Sequence, residues 1–166
     1  LTDLALPGNF TDPLNLASLV DLNATGGHRD FLRDLGMREL DITEYARVHL
    51  PAALLAVTVS SDLRRGAAAL LAANLGKLSG DENVRTALRR TRLVECDDGE
   101  FRTSHGVYFQ SEIVRECMGD TVHYAQLPDE GNVALRDFYK WLGVLDEPDF
   151  KDLVALVRKT VSVPFS

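Results

Sequence analysis

The sequence predicts an α+β domain, mainly α, a helical module organised around a small β-hairpin unit. Three observations carry this expectation. Apolar residues recur at helical spacing over most of the chain, as in Leu63, Ala67, Leu70, Leu71 and Leu78. One stretch, Leu93 to Thr103, reads instead as strand, turn and returning strand, with Asp97-Asp98-Gly99 at its tip. Strands and helices do not alternate along the chain, which argues against a parallel α/β sheet.

The elements follow in order. Leu4, Leu6, Pro7 and Phe10 make an irregular or extended start. Thr11-Asp12-Pro13 then reads as a cap with proline in the first turn of a helix that buries Leu14, Leu16, Leu19, Val20 and Leu22. After the break at 23–27, Phe31 and Leu35 lie four residues apart on a short helix stopped by Gly36. Asp41-Ile42-Thr43-Glu44 opens the next helix, with Tyr45, Val48, Leu54 and Leu55 as its apolar positions, bent or divided at Pro51. Ser60-Ser61-Asp62 caps a long amphipathic helix with Leu63 and Ala67 inside and Arg64, Arg65 and Lys77 outside. Asp81 restarts the chain into a helix ending at Val84, Ala87 and Leu88, which feeds the hairpin.

Beyond the hairpin, Val107-Tyr108-Phe109 reads as a short strand, and Ser111 caps a helix through Ile113, Val114 and Cys117 that Gly119 stops. Residues 120–126 read as extended and 127–131 as a loop. Asn132 caps a helix with Leu135, Phe138, Tyr139 and Leu142 inward and Gly143 as its stop, and Glu147-Pro148 opens the last helix, carrying Phe150, Leu153, Leu156 and Val157.

Composition narrows the function. A chain of 166 residues with 45% hydrophobic content buries one core, or a core with part of a neighbour's. With 18 basic and 25 acidic residues the net charge is −7, which excludes nucleic-acid binding by bulk electrostatics and leaves only a local basic patch. Two cysteines, Cys96 and Cys117, argue against a disulfide scaffold and fit a reducing compartment. The longest apolar runs are about half the length that spans a bilayer, so the expectation is a cytoplasmic protein without a membrane partner. The absence of an initiator methionine and the 163–166 ending suggest an excised fragment of a larger protein. Few lysines and isoleucines beside many arginines, alanines and leucines suit a GC-rich bacterial genome.

An internal echo bears on the organisation. Arg29-Asp30-Phe31-x-x-x-Leu35-Gly36 matches Arg136-Asp137-Phe138-x-x-x-Leu142-Gly143 at an offset of 138 − 31 = 107 residues. Identity alone decides little. Both copies follow a Gly-containing loop, stop at the same glycine and lead through an acidic segment into another amphipathic helix.

The order His49-Leu50-Pro51, Leu63-Arg64-Arg65, Asp81-Glu82-x-Val84-Arg85-x-Ala87-Leu88-Arg89, Leu93-Val94-x-Cys96-x-Asp98-Gly99-x-Phe101-Arg102, Val107-Tyr108-Phe109 and Val114-Arg115-Glu116 resembles the repeated helical regions of sacsin-like proteins. These large proteins pair an Hsp90-type ATP-binding domain with such modules. The resemblance covers roughly residues 30 to 160, over many weak positions. It implies that residues 1–166 form a single module: 1–30 the edge of a preceding unit, 31–137 one unit and 138–166 the start of the next. It implies a non-catalytic structural and protein-interaction role, chaperone-like or scaffolding. The implied partners are other domains of the same parent chain and client proteins.

The family's ATP site does not carry over, because Asp98-Gly99-Glu100-Phe101 has one glycine where the nucleotide turn needs two. No cofactor is expected. Cys96, His105, Cys117 and His123 are zinc-type donors whose gaps match no compact ligand pair, so no metal site is expected. The enzymatic alternative is a hydrolase-like domain in which Cys96 meets His105 across the hairpin, with Asp97 or Asp98 orienting the imidazole. Ser104 or Ser111 makes a weaker nucleophile. Arg85, Arg89, Arg90 and Arg92, with Arg64 and Arg65 near, form the candidate contact for an anion such as RNA or DNA or for an acidic partner surface; the plain reading is a solvated face that complements the C-terminus of its helix and pairs with Asp81 and Glu82. Trp141, opposite the buried face of its helix, is the candidate contact with a neighbouring unit.

Overall fold

Short polar side chains that satisfy the free N–H groups of helix starts set most of the element boundaries. The computed structural model describes residues 4–16, 18–55, 59–129 and 132–161; the 163–166 ending and positions 130 and 131 of the expected loop lie outside them. The Asp41 carboxylate accepts from Thr43 N–H at the start of α2 (Ile42–Glu44). Ser60 accepts from Leu63 N–H to open α4 (Ser61–Ala73), and Asp81 from Asn83 and Val84 to open α6 (Glu82–Arg89). Ser111 opens α7 (Glu112–Met118) and Asn132 opens α8 (Val133–Leu142) in the same way. The remaining helices are α1 (Arg29–Asp34), α3 (Leu50–Leu54), α5 (Leu75–Leu78) and α9 (Phe150–Val161).

Pro51 does not break its helix. A π-turn over Tyr45–His49 joins α2 to α3, with Leu50 N–H donating to the Tyr45 carbonyl five residues back. Proline has no N–H to continue a regular ladder, and the wider turn takes up the mismatch.

Two expectations fail. Among the described residues of 14–22 there is no helix: Asp12 accepts from Leu14 N–H in a tight turn and from the Tyr45 hydroxyl, and Asn15 takes φ 56, which no right-handed helix accommodates. A strand, β2 (Ser18–Leu19), stands there and pairs in parallel with β1 (Leu4–Ala5). On α4, Ala67 and Leu71 face inward as expected, but Leu63 and Arg64 exchange places. Leu63 is exposed and Arg64 is buried with Ala67, Ala68, Leu71 and Ala72. On α7, Val114 and Met118 face inward while Ile113 and Cys117 face out.

The hairpin forms as expected, β3 (Val94–Glu95) running antiparallel to β4 (Phe101–Arg102) with Val94 opposite Arg102. It is not isolated. β5 (Val107–Phe109) pairs in parallel with β6 (His123–Ala125), and β6 joins β3 through Asp97 N–H to Tyr124 O at 2.9 Å and Gln126 N–H to Glu95 O at 2.8 Å. The segment after α8 adds on the other side, where Leu145 bridges Tyr108 in parallel.

The echo in the sequence is repeated in space. In the first copy two parallel strands, β1 and β2, precede α1, and the segment after α1 returns to bridge β1 at Leu6 and Glu39. In the second, β5 and β6 precede α8, and the segment after α8 returns to bridge β5. Each helix ends in the same C-terminal motif, Met37 N–H reaching Leu32 O and Val144 N–H reaching Tyr139 O, past glycines at φ 87 and φ 109. The ion pairs repeat as well. Arg29 and Arg33 converge on Glu39, and Arg136 and Lys140 converge on Asp146. All three positions keep one offset: 136 − 29 = 107, 140 − 33 = 107 and 146 − 39 = 107. The copies differ between their first two strands, where α7 replaces the irregular segment after β1.

Between the copies lies a shared helical layer. Here α5 and α6 cover the α2–α3 helix of the first copy, while α4 and α6 hold α8 of the second. The main core joins both sides through Tyr45, Leu50, Leu54, Leu71, Leu88 and Phe138. A smaller cluster of Tyr108, Val114, Met118 and Tyr124 sits under α9.

Candidate functional site

The arginine cluster divides in two. On α6, Arg85 and Arg89 point toward the last turn of α8. Arg85 Nε donates to the Trp141 carbonyl at 2.7 Å and lies 3.6 Å from Glu82. The Arg89 guanidinium packs on Gly143, 3.2 Å from where a Cβ would stand. Ser104, buried, donates to the Leu142 carbonyl at 2.7 Å. The free carbonyls at the negative end of α8 thus meet cationic and hydroxyl donors from the helical layer and the hairpin. The expected pairing with Glu82 is present for Arg85, and both arginines also serve the end of a neighbouring helix.

Arg90 and Arg92 are exposed. Beneath them, Arg64 corrects its assignment to the outer face: it donates from Nη1 to the Leu54 carbonyl at 3.0 Å and the Arg92 carbonyl at 2.9 Å. It ties the end of α3 to the start of the hairpin, and burial pulls its pKa down. Arg65 stays outside and pairs with Glu95 and Asp62. Trp141 is half-buried, its ring 6.1 Å from that of Phe138 and packed on the main core.

The residues of the enzymatic alternative sit apart in character. Cys96 is fully buried, its thiol 3.9 Å from the Val94 carbonyl, and burial pushes its pKa up, away from the thiolate a nucleophile needs. His105 is exposed in the turn between β4 and β5. Asp98 serves the hairpin itself, pairing with Arg102 at 2.7 Å and accepting from Glu100 N–H, and it lies 3.9 Å from His123. Cys117 and His123 are exposed. Among the described residues no group of three or more His, Cys, Asp or Glu converges as a metal site would require. Ser111 is engaged as a cap.

Two features escaped the sequence reading. One is the seat of α8, where the Tyr139 hydroxyl lies 3.4 Å from both Glu95 N and the Leu93 carbonyl, and burial pushes its pKa up to about 12. The other is the open apolar surface at each end of the duplicated motif: Phe31 and Leu35 on α1, Phe150 and Val157 on α9. The signal for the second was the echo, followed past its identical residues into what surrounds each copy. A polar cleft beside β5 and β6, lined by Asp97, Gln110, Gln126 and Arg136, completes the surface near the hairpin.

Comparison of the chain with family models, with curated proteins and with solved structures finds no match. Among the described residues no helix is long and apolar enough to cross a membrane.

Proposed function

We propose that the chain is a non-catalytic structural and protein-interaction module, part of an array in a larger sacsin-like protein that carries an Hsp90-type ATPase and acts as a cytoplasmic chaperone or scaffold. The observation that carries this reading is the duplicated motif around one shared helical layer. Repeat units bury their apolar faces against neighbours and stay open at the ends, and here α1 and α9 are open while the equivalent faces between them are covered. The chemistry of the polar groups agrees. Arg64, Arg85 and Ser104 hold carbonyls of the fold, and Asp98 holds its own turn. Partners on this reading are other domains of the same parent chain and client proteins bound on exposed surfaces.

The test is the complete gene product. The reading expects ATP hydrolysis by an Hsp90-type domain in that product and none by the 166-residue chain alone. A complete product without such a domain, or substrate turnover by the chain that Cys96→Ser abolishes, overturns it.

A further inference from the structure

In the first copy of the motif, the helix after the returning segment has its apolar face covered. Ile42, Tyr45, Ala46, Leu50 and Leu54 are all at most 3% exposed, and α5 and α6 lie over them. The second copy has the same helix. Asp149 caps α9 as Asp41 caps α2, each carboxylate accepting from the N–H two residues on. The offset is 149 − 41 = 108 at the caps. The π-turn at Tyr45–His49 adds one residue to the first copy, so from Leu50 onward the offset is again the 107 of the echo. On this alignment Phe150, Leu153, Val154 and Val157 stand where Ile42, Tyr45, Ala46 and Leu50 stand. Leu153 packs with Leu156 on the small cluster. Phe150 and Val157 do not: they are 77% and 59% exposed, and with Leu153, Val154 and Arg158 they line an open groove.

We infer that the outer face of α9, centred on Phe150, Val154 and Val157, is a docking surface for a helical unit built like α4–α6 of this chain. What covers the equivalent face in the first copy identifies the occupant. A second copy of the folded chain cannot supply it, because its α4–α6 layer is already held between its own α2–α3 helix and its own α8. The occupant is therefore a further unit of the same repeat whose layer is free on that side. This rests on the array reading above and adds to it the contact by which one unit takes the next.

The test repeats residues 59–106 after Ser166 in a tandem chain, which raises the effective concentration of the added layer without a new partner. Hydrogen exchange at the α9 amides 153–158 slows about ten-fold or more relative to the 166-residue chain. Val157→Asp in the tandem chain, a change at an exposed position, restores the fast exchange. Unchanged α9 exchange in the tandem chain overturns the inference. So does a dimer of the 166-residue chain in sedimentation that Val157→Asp dissociates, which makes a second copy the occupant. Binding of that chain to phosphatidylglycerol vesicles through the same residue also overturns it, making the occupant a lipid surface. A gene product without an ATPase domain removes the proposed function and leaves this contact standing; failure of the tandem chain removes the contact and leaves the ATPase reading untouched.

Discussion

α1 and α8 carry the same local instructions and meet different fates. Both have Arg-Asp-Phe in one turn and Leu-Gly at the end, and both end in the same hydrogen-bonded C-terminal motif. Both anchor two basic side chains on one acidic residue of the segment that returns to the sheet. Yet Phe138 and Leu142 are at most 1% exposed, while Phe31 and Leu35 are 61% and 65% exposed. Local sequence writes the helix and its stop; the layer across from it decides whether its apolar face is core or surface.

The largest expected effect separates the two copies directly. Phe138→Ala removes a fully buried ring from the main core and costs about 3–5 kcal/mol in urea unfolding. Phe31→Ala, at the same position of the other copy, shifts stability by less than about 0.5 kcal/mol. Equal losses break the comparison, since they mean that α1 is buried as α8 is.

A smaller effect probes the layer that makes the difference. Arg64→Met keeps most of the buried volume but leaves the Leu54 and Arg92 carbonyls without their donor, which costs about 2 kcal/mol. Arg65→Met, at the surface one residue away, removes the two-bond pair with Glu95 and lowers the denaturation midpoint less than Arg64→Met does. A neutral Arg64→Met sharpens the account differently: it makes apolar contact, and not the tie between α3 and the hairpin, the feature that holds the layer.

Much of the fold was legible in particular residues. Asp41, Ser60, Asp81, Ser111 and Asn132 each cap the helix their positions announce, and Asp97-Asp98-Gly99 turns the hairpin. The parallel pairs were not legible as such, because strands of two or three residues show no period and β2 lies inside a run that also fits helical spacing. Arg64 was assigned outward by its charge. The carbonyls that pay for its burial belong to residues ten and twenty-eight positions away. The arginines of α6 were found by their clustering, but the target of Arg85 lies 56 positions along the chain and only the fold brings it near.

Hydrogen exchange of the 166-residue chain, read amide by amide in the two matched helices, is the most direct test of the central claim that one motif occurs twice and is covered only once. The account predicts that the amides of Leu135 to Gly143 exchange only with global unfolding, while those of Leu32, Leu35, Gly36 and Met37 exchange through local opening, orders of magnitude faster. Equal protection of the two helices would contradict it.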